Sequence, residues 1–146
     1  MKVPAAAPGN GSKANGPLLG FDPGRSKCGL ALTDCQRQRV VESVVVPASQ
    51  ALNQVEVWQR REGLAAILLG DGTGSKQWRQ ALALVAPLQI VPEAGTTLAA
   101  RQRYWQLEPP RGWRRLLPRG LRLPPRDIDD VVARLLLERH LGRMLD

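Results

Sequence analysis

The chain has 146 residues, 43% of them hydrophobic, and a net charge of +8 from 21 basic residues, almost all Arg, against 13 acidic ones. That length suits one domain with a real core, and the apolar content excludes wholesale disorder, while no apolar run approaches the ~20 residues of a membrane helix. The charge excess points to an anionic partner, nucleic acid being the commonest, although Arg can also do no more than solvate a surface.

Residues 1–16 (MKVPAAAPGNGSKANG) are rich in Gly, Pro, Ala, Asn and Ser and hold no apolar stretch. They read as a disordered tail and not as a secretion signal, leaving 17–146 as the folded domain of a cytoplasmic protein. Leu18-Leu19-Gly20-Phe21 is a short apolar run ending in Asp22, the pattern of a central strand that delivers an acid at its end. Pro23-Gly24-Arg25-Ser26-Lys27 is a turn by composition. Residues 28–34 then form a hairpin partner, and the β-branched stretch 39–46 a third strand closed by Pro47.

The period changes at Ala48. Ala51, Leu52, Val55 and Trp58 fall at helical spacing over 48–62, and Gly63 suits the C-cap. Residues 64–69 are apolar throughout, as in a parallel strand covered on both faces. A loop, Gly70-Asp71-Gly72-Thr73-Gly74-Ser75, leads to a helix over 76–86, and 88–91 is a last short strand that delivers Pro92-Glu93. A helix follows through 107, with Thr96 or Thr97 as its expected N-cap. The stretch 108–126 holds five prolines and six arginines and reads as a basic, irregular loop. The last helix is expected over 131–141, with Asp127 and Asp130 as a capping box and Gly142 at its end. The order β-β-β-α-β-α-β-α-α implies an α/β domain: a mixed five-stranded sheet, in which a three-strand antiparallel meander is extended by parallel βαβ strands, with helices on its faces.

Three acids stand where ligands gather in such sheets, beyond the carboxyl ends of strands. Asp22 ends the first strand, Glu93 follows the last, and Asp129 lies in the first turn of the final helix. Carboxylates brought together repel unless a cation lies between them, and hard oxygen ligands suit Mg²⁺ or Mn²⁺. Two such ions about 4 Å apart activate water and stabilise the leaving oxygen in phosphodiester cleavage. Each acid alone has a plainer reading: Asp22 as a turn former, and Glu93 and the aspartates at 127–130 as partners of helix dipoles.

Arg25 and Lys27 sit in the turn after Asp22, suited to a phosphate near it. Arg111, Arg114, Arg115, Arg119, Arg122 and Arg126 are spaced to follow a nucleic-acid backbone electrostatically. Trp113 among them suits base stacking, but packing of Trp113, Leu116 and Leu117 against the core is the favoured reading. The 70–76 loop lacks the spacing of a Walker A site, yet its backbone N–H groups and Lys76 suit an anion. Cys28 and Cys35 lack zinc-site spacing and are expected as free thiols. His140, near a helix C-terminus, has no assigned role.

The segment LLGFDPGRSKCGLALTD resembles the opening of the YqgF (RuvX) family, Holliday-junction-resolvase-like members of the RNase H superfamily. VPEAGTTLAARQRYW resembles that family's acid-plus-Thr-Thr segment, and IDDVVARLLLERHL its C-terminal helix. The three matches come in family order across 17–142. The resemblance implies an RNase H-like fold and a Mg²⁺-dependent nuclease acting on Holliday-junction-like DNA or on the 5′ end of pre-16S rRNA. It implies Asp22, Glu93 and Asp129 as the catalytic, metal-binding acids, with Asp130 as the alternative to Asp129.

Three departures from the family pattern stand out. Pro92 and Ala94 flank Glu93 where the family has Asp-Glu-Arg, the glycine loop replaces Gly-Leu-Pro, and the 108–126 loop is unusually rich in Arg and Pro. They motivate a second expectation, a nucleic-acid- or ribosome-binding protein that kept the fold and lost catalysis. An Asp-x-Gly turn also opens the actin-like ATPase fold, but that fold needs two such domains. Resolution of a four-way junction favours a two-fold homodimer, although no dimer seam is legible.

Overall fold

The computed structural model describes residues 15–72 and 74–146. The tail expected over 1–16 lies outside them as far as residue 14, as does Thr73 of the glycine loop. Five strands, β1 (Leu18–Asp22), β2 (Lys27–Thr33), β3 (Val40–Pro47), β4 (Ala66–Gly70) and β5 (Leu88–Val91), form one sheet in the order β3-β2-β1-β4-β5. β1, β2 and β3 pair antiparallel, and β1, β4 and β5 pair parallel. This is the mixed sheet expected from the element order, with β1 at its centre.

Four helices cover it: α1 (Ala48–Glu62), α2 (Ser75–Ala83), α3 (Thr96–Leu107) and α4 (Asp129–Leu141). Side chains alternate across a strand, so each strand serves two cores. Leu19, Phe21, Cys28, Leu30, Leu32, Ile67 and Leu69 point to one face and pack on Ala51, Val55 and Trp58 of α1 and Leu82 of α2. Leu18, Ala31, Leu68 and Val91 point to the other, where α4 packs through Ala133, Leu136 and Leu137. α3 lies against α4 through Ala100, Tyr104, Val131 and Val132 and does not join either sheet core. Among the described residues no helix is long and apolar enough to cross a membrane.

The sheet face under α4 is pared down where the helix crosses it. A Cβ on Gly20 would run into the Ala133 carbonyl and the Leu137 side chain, so the helix rests on bare β1 backbone. The outer side of α4 is held by a buried ion pair, Arg103 to Glu138 at 2.8 Å. The same two side chains clamp the chain near residue 145: Arg103 Nη2 donates to the Leu145 carbonyl and the Leu145 N–H donates to Glu138 Oε2, both at 2.8 Å.

Helix starts depart from expectation. α3 has no side-chain cap; Gly95, at φ 75°, turns the chain into it, so neither Thr96 nor Thr97 acts as N-cap. α4 begins two residues before the expected position, with Ile128 as N-cap and no capping box. The physical reason is competition for the acids: Asp127 pairs with Lys27 and Asp130 with Arg126. α2 stops at Ala83 because the Val85 and Ala86 N–H groups both turn back to the Leu82 carbonyl ahead of Pro87. Within 108–126 the chain forms two 3-10 turns, Gly112–Leu116 and Arg119–Leu121.

Replacing Gly20 by Ala drives a methyl group into α4 backbone. The expected result is a loss of about 1–3 kcal/mol in urea unfolding, read as a lower midpoint with an unchanged slope.

Candidate active site

Leu18, Gly20 and Asp22 alternate onto the α4 face of β1, which puts the Asp22 carboxylate beside the start of that helix. The register gives Asp22 two glycine neighbours. Across the antiparallel pair it faces Gly29, and on the other side β4 pairs Leu69 with Phe21, so Gly70 comes next to Asp22. Both glycines make room for an acid-bearing segment. A Cβ on Gly29 would collide with the Asp129 backbone at the first turn of α4, and one on Gly70 would collide with the Glu93 carboxylate. Asp129 and Glu93 thus settle on either side of Asp22, each over a position with no side chain.

Glu93 is anchored. The Gly72 N–H donates to its Oε1 at 3.0 Å, its own N–H donates to Asp71 Oδ1 at 3.1 Å, and Asp71 N–H donates to the Val91 carbonyl at 3.0 Å. The N–H of Gly72, expected to suit an external anion, therefore serves Glu93. Arg139 donates to the Ala94 carbonyl at 2.9 Å and to the Pro92 carbonyl at 3.4 Å, supporting the turn on both sides of Glu93.

The electrostatics report the gathering of charge. Burial, then the negative charges of Glu93 and Asp129, push the Asp22 carboxyl up from 3.8 to about 8. Asp129 is raised too, first by burial and then by Asp127, with Lys27 opposing. The neighbouring pair 129–130 divides by partner. Asp130 is buried, accepts from Arg126 Nη1 at 2.9 Å and from Ser43 Oγ at 3.4 Å, and fixes the helix start. Among the described residues the Asp129 and Asp22 carboxylates have no hydrogen-bond or ion-pair partner, which leaves both oxygen pairs open to a ligand.

Among the described residues no three Asp, Glu, His or Cys side chains form a ready-made metal cage. The donor set nevertheless fits Mg²⁺ or Mn²⁺. Mg²⁺ keeps several waters and takes one or two carboxylates plus substrate phosphate oxygens in place of an all-protein shell, and an unpaired Asp22 beside two further acids has that character.

The basic residues fall into two groups. Lys27 is tied to Asp127. Arg126 is tied to Glu108 at 3.0 Å and to Asp130, and lies 5.2 Å over the Tyr104 ring. Arg122 turns inward and donates to the carbonyls of Arg114, Leu117 and Arg115, and Arg114 lies over Trp113. Arg25, Lys76, Arg111, Arg115 and Arg119 are exposed and make no side-chain hydrogen bond or ion pair among the described residues. Trp113 is 63% exposed and Leu116 86%, so the expected packing of these two against the core does not occur: Arg122, through the carbonyls, holds the loop instead. Cys28 is a buried core thiol and Cys35 an exposed one, both free; burial raises the Cys28 thiol above its usual range. His140 is exposed at the last turn of α4.

Sequence reasoning missed the glycines and the bracing roles of Arg122 and Arg126. The glycine signal was available: Gly29 and Gly70 lie on neighbouring strands level with the acid. Of the arginine roles, only the Arg126–Asp130 pair, four residues apart, had a local signal; Glu108 lies 18 residues from Arg126, and Arg122 bonds backbone carbonyls.

No known protein-family profile matches the chain, and no curated protein does. Among solved structures, Thermus thermophilus RuvC in complex with a Holliday junction substrate aligns over 86% of this chain and 96% of its own, with a TM-score of 0.53 at 16% identity. A second Thermus thermophilus RuvC structure aligns over 87% and 95%, with a TM-score of 0.51 at 15% identity. The chain shares their RNase H-like fold: the five-stranded sheet, its strand order and its mix of parallel and antiparallel pairs.

The Asp22 shift has a stability consequence. Between about pH 4 and pH 8 the folded carboxyl keeps a proton that the unfolded chain releases, so metal-free protein loses stability as pH rises, by at most about 1.4 kcal/mol per pH unit. Asp22→Asn is expected to flatten that slope and to raise the melting temperature at pH 8 without metal. Thermal unfolding of both proteins between pH 5 and pH 9 in chelator measures it.

Proposed function

We propose that this chain is a divalent-metal-dependent nuclease that hydrolyses phosphodiester bonds in structured nucleic acid. The observation that carries the reading is the flanking of Asp22 by Glu93 and Asp129 over bare glycine backbone, where burial first and then those two charges push the Asp22 carboxyl up to about 8. The shared fold with RuvC supports it, since one of those structures holds a Holliday junction substrate. In this reading Asp22, Glu93 and Asp129 are the catalytic acids that hold Mg²⁺ or Mn²⁺, and Asp130 serves the helix start. When bound, the metal supplies Lewis-acid polarisation of a phosphate oxygen and an activated water.

The chain's own residues do the rest. Asp22 is the central ligand, because burial and then the charges of Glu93 and Asp129 destabilise its carboxylate, and a cation would relieve both. Glu93, restrained by Gly72 and Asp71, keeps its orientation without a ligand, so little ordering entropy is lost on binding. Asp129 sits in the first turn of α4, and its carboxylate has no hydrogen-bond or ion-pair partner among the described residues. Arg25, in the turn after Asp22, and Lys76, after the loop that holds Glu93, are exposed and would meet flanking phosphates; Arg111, Arg115 and Arg119 extend the basic surface. Branched DNA and the 5′ end of pre-16S rRNA, the substrates implied by the resemblance to the YqgF family, are the two to test, the first with the chain as a homodimer.

A second reading, a binding protein without catalysis, is motivated by Pro92 and Ala94 beside Glu93. Arg139 favours the first, because it supports both carbonyls around Glu93 where the family's own Arg is missing.

Labelled four-way-junction DNA and a pre-16S rRNA fragment, incubated with and without Mg²⁺, separate the two. Cleavage is expected only with metal, and Asp22→Asn is expected to reduce it by about a thousandfold or more while binding in chelator stays at the wild-type level. Tight binding by wild type with no metal-stimulated cleavage would favour the second reading.

A further inference from the structure

A groove with a volume of about 600 Å³ runs along the outer face of α3 and is walled by the 108–126 loop. Leu98, Arg101, Gln102, Trp105 and Gln106 line the helix side and Arg119 the loop side, with no acidic residue among its lining. We propose that this groove binds single-stranded nucleic acid, taking an unpaired nucleotide with its base against Trp105 and its phosphates on Arg101 and Arg119. This deepens the nuclease reading and rests on it for the identity of the substrate.

The walls are preformed. Trp105 Nε1 donates to the Arg122 carbonyl at 3.1 Å, and the Arg122 guanidinium binds the loop carbonyls of Arg114, Arg115 and Leu117 at 2.9–3.0 Å. The Tyr104 ring meets Trp105 edge-on at 4.9 Å. Walls fixed in this way need little backbone ordering when a ligand enters, and the groove's volume lies within the usual range for small-ligand sites.

The chemistry of the lining selects the ligand. Arginines with structural duties nearby are engaged: Arg103 with Glu138, Arg122 with carbonyls, Arg126 with Glu108 and Asp130. Arg101 and Arg119 are exposed and have no hydrogen-bond or ion-pair partner among the described residues. Two unpaired guanidiniums across a groove without acids make an anion site, and Arg is the residue suited to phosphate. Trp105 has its N–H committed to the loop, so it offers ring surface and no base readout. Stacking on it would be tolerant of sequence. Gln106 already accepts from Arg103 Nη1 at 3.3 Å, which leaves its amide N–H groups to donate, whereas Gln102 is exposed and can donate and accept at a base edge. A duplex hides its base faces in the stack and leaves the Trp105 ring without a partner, so the combination of ring, amides and separated cations fits an unpaired strand.

The position is also suited to the site. The loop that forms one wall runs directly into α4, and its last arginine, Arg126, grips Asp130 next to Asp129. A strand lying in the groove would be held on the segment that carries one of the acids.

Fluorescence anisotropy of labelled single-stranded hexamers, one RNA and one DNA, against a duplex of the same sequence tests this in chelator, where nothing is cut. The hexamers are expected to bind the full chain more tightly than the duplex does. The Arg101→Ala/Arg119→Ala double variant is expected to weaken the hexamers about tenfold or more and to lower the salt slope by about one to two counterions. Gln102→Glu, an exposed change that leaves packing intact, should weaken them as well. The RNA and DNA arms show which sugar is preferred. Hexamer affinity unchanged in both groove variants, or duplex binding equal to hexamer binding, would overturn the proposal. Loss of hexamer binding in those variants alongside a wild type that cuts nothing would uphold the groove and refute the nuclease reading.

Discussion

The placement of Asp22 between two acid-bearing segments, each lying over glycine backbone, is the constraint on which the rest of the structure turns. Placing Asp22 between Glu93 and Asp129 is unfavourable for folding alone: burial and two like charges raise its carboxyl to about 8. Such a cluster persists only if the surrounding elements over-determine it. They do so here. α4 reaches the Asp22 end of the sheet because Gly20 and Gly29 let it lie on bare strands. Its first turn is pinned by Asp130 to Arg126 and Ser43, and its far half by the buried Arg103–Glu138 pair. Glu93 is drawn in by the Gly72 N–H and kept there by Asp71 and Arg139. Folding energy from two apolar cores is thus used to hold Asp22 beside like charges.

The strands and the order of helices were legible because their signals are local. Leu18 to Asp22 reads as a strand ending in an acid, the 48–62 stretch has helical spacing, and 64–69 is apolar throughout. The pairing of β1 with β4 followed from topology rules and not from any residue. Helix starts were less legible. Asp127 and Thr96 have the right chemistry for caps, but Lys27 competes for the first and Gly95 replaces the second. The choice between Asp129 and Asp130 was open in the sequence because adjacent residues have equal claims; in the structure Asp130 is buried and bonded to Arg126, whereas Asp129 has no such partner among the described residues.

The Arg-rich segment shows why charge counts alone mislead. Its six arginines read as one uniform phosphate-tracking stretch, yet Arg122 and Arg126 act as internal struts, using carbonyls, carboxylates and the Tyr104 ring to shape a segment with too few apolar contacts to pack by itself. The same struts leave Trp113 and Leu116 exposed. What remains for a partner is a smaller set of cations with no duties inside the protein, and their location, not their number, carries functional meaning.

The central claim is that Asp22, Glu93 and Asp129 meet closely enough to share a divalent ion. Anomalous scattering from crystals soaked in Mn²⁺ tests it directly. A peak beside the Asp22 carboxylate, within reach of Glu93 or Asp129, with the peak lost in Asp22→Asn, is the expected result. Full Mn²⁺ occupancy elsewhere on the surface, with the Asp22 carboxylate bare and turned away from both acids, would contradict it.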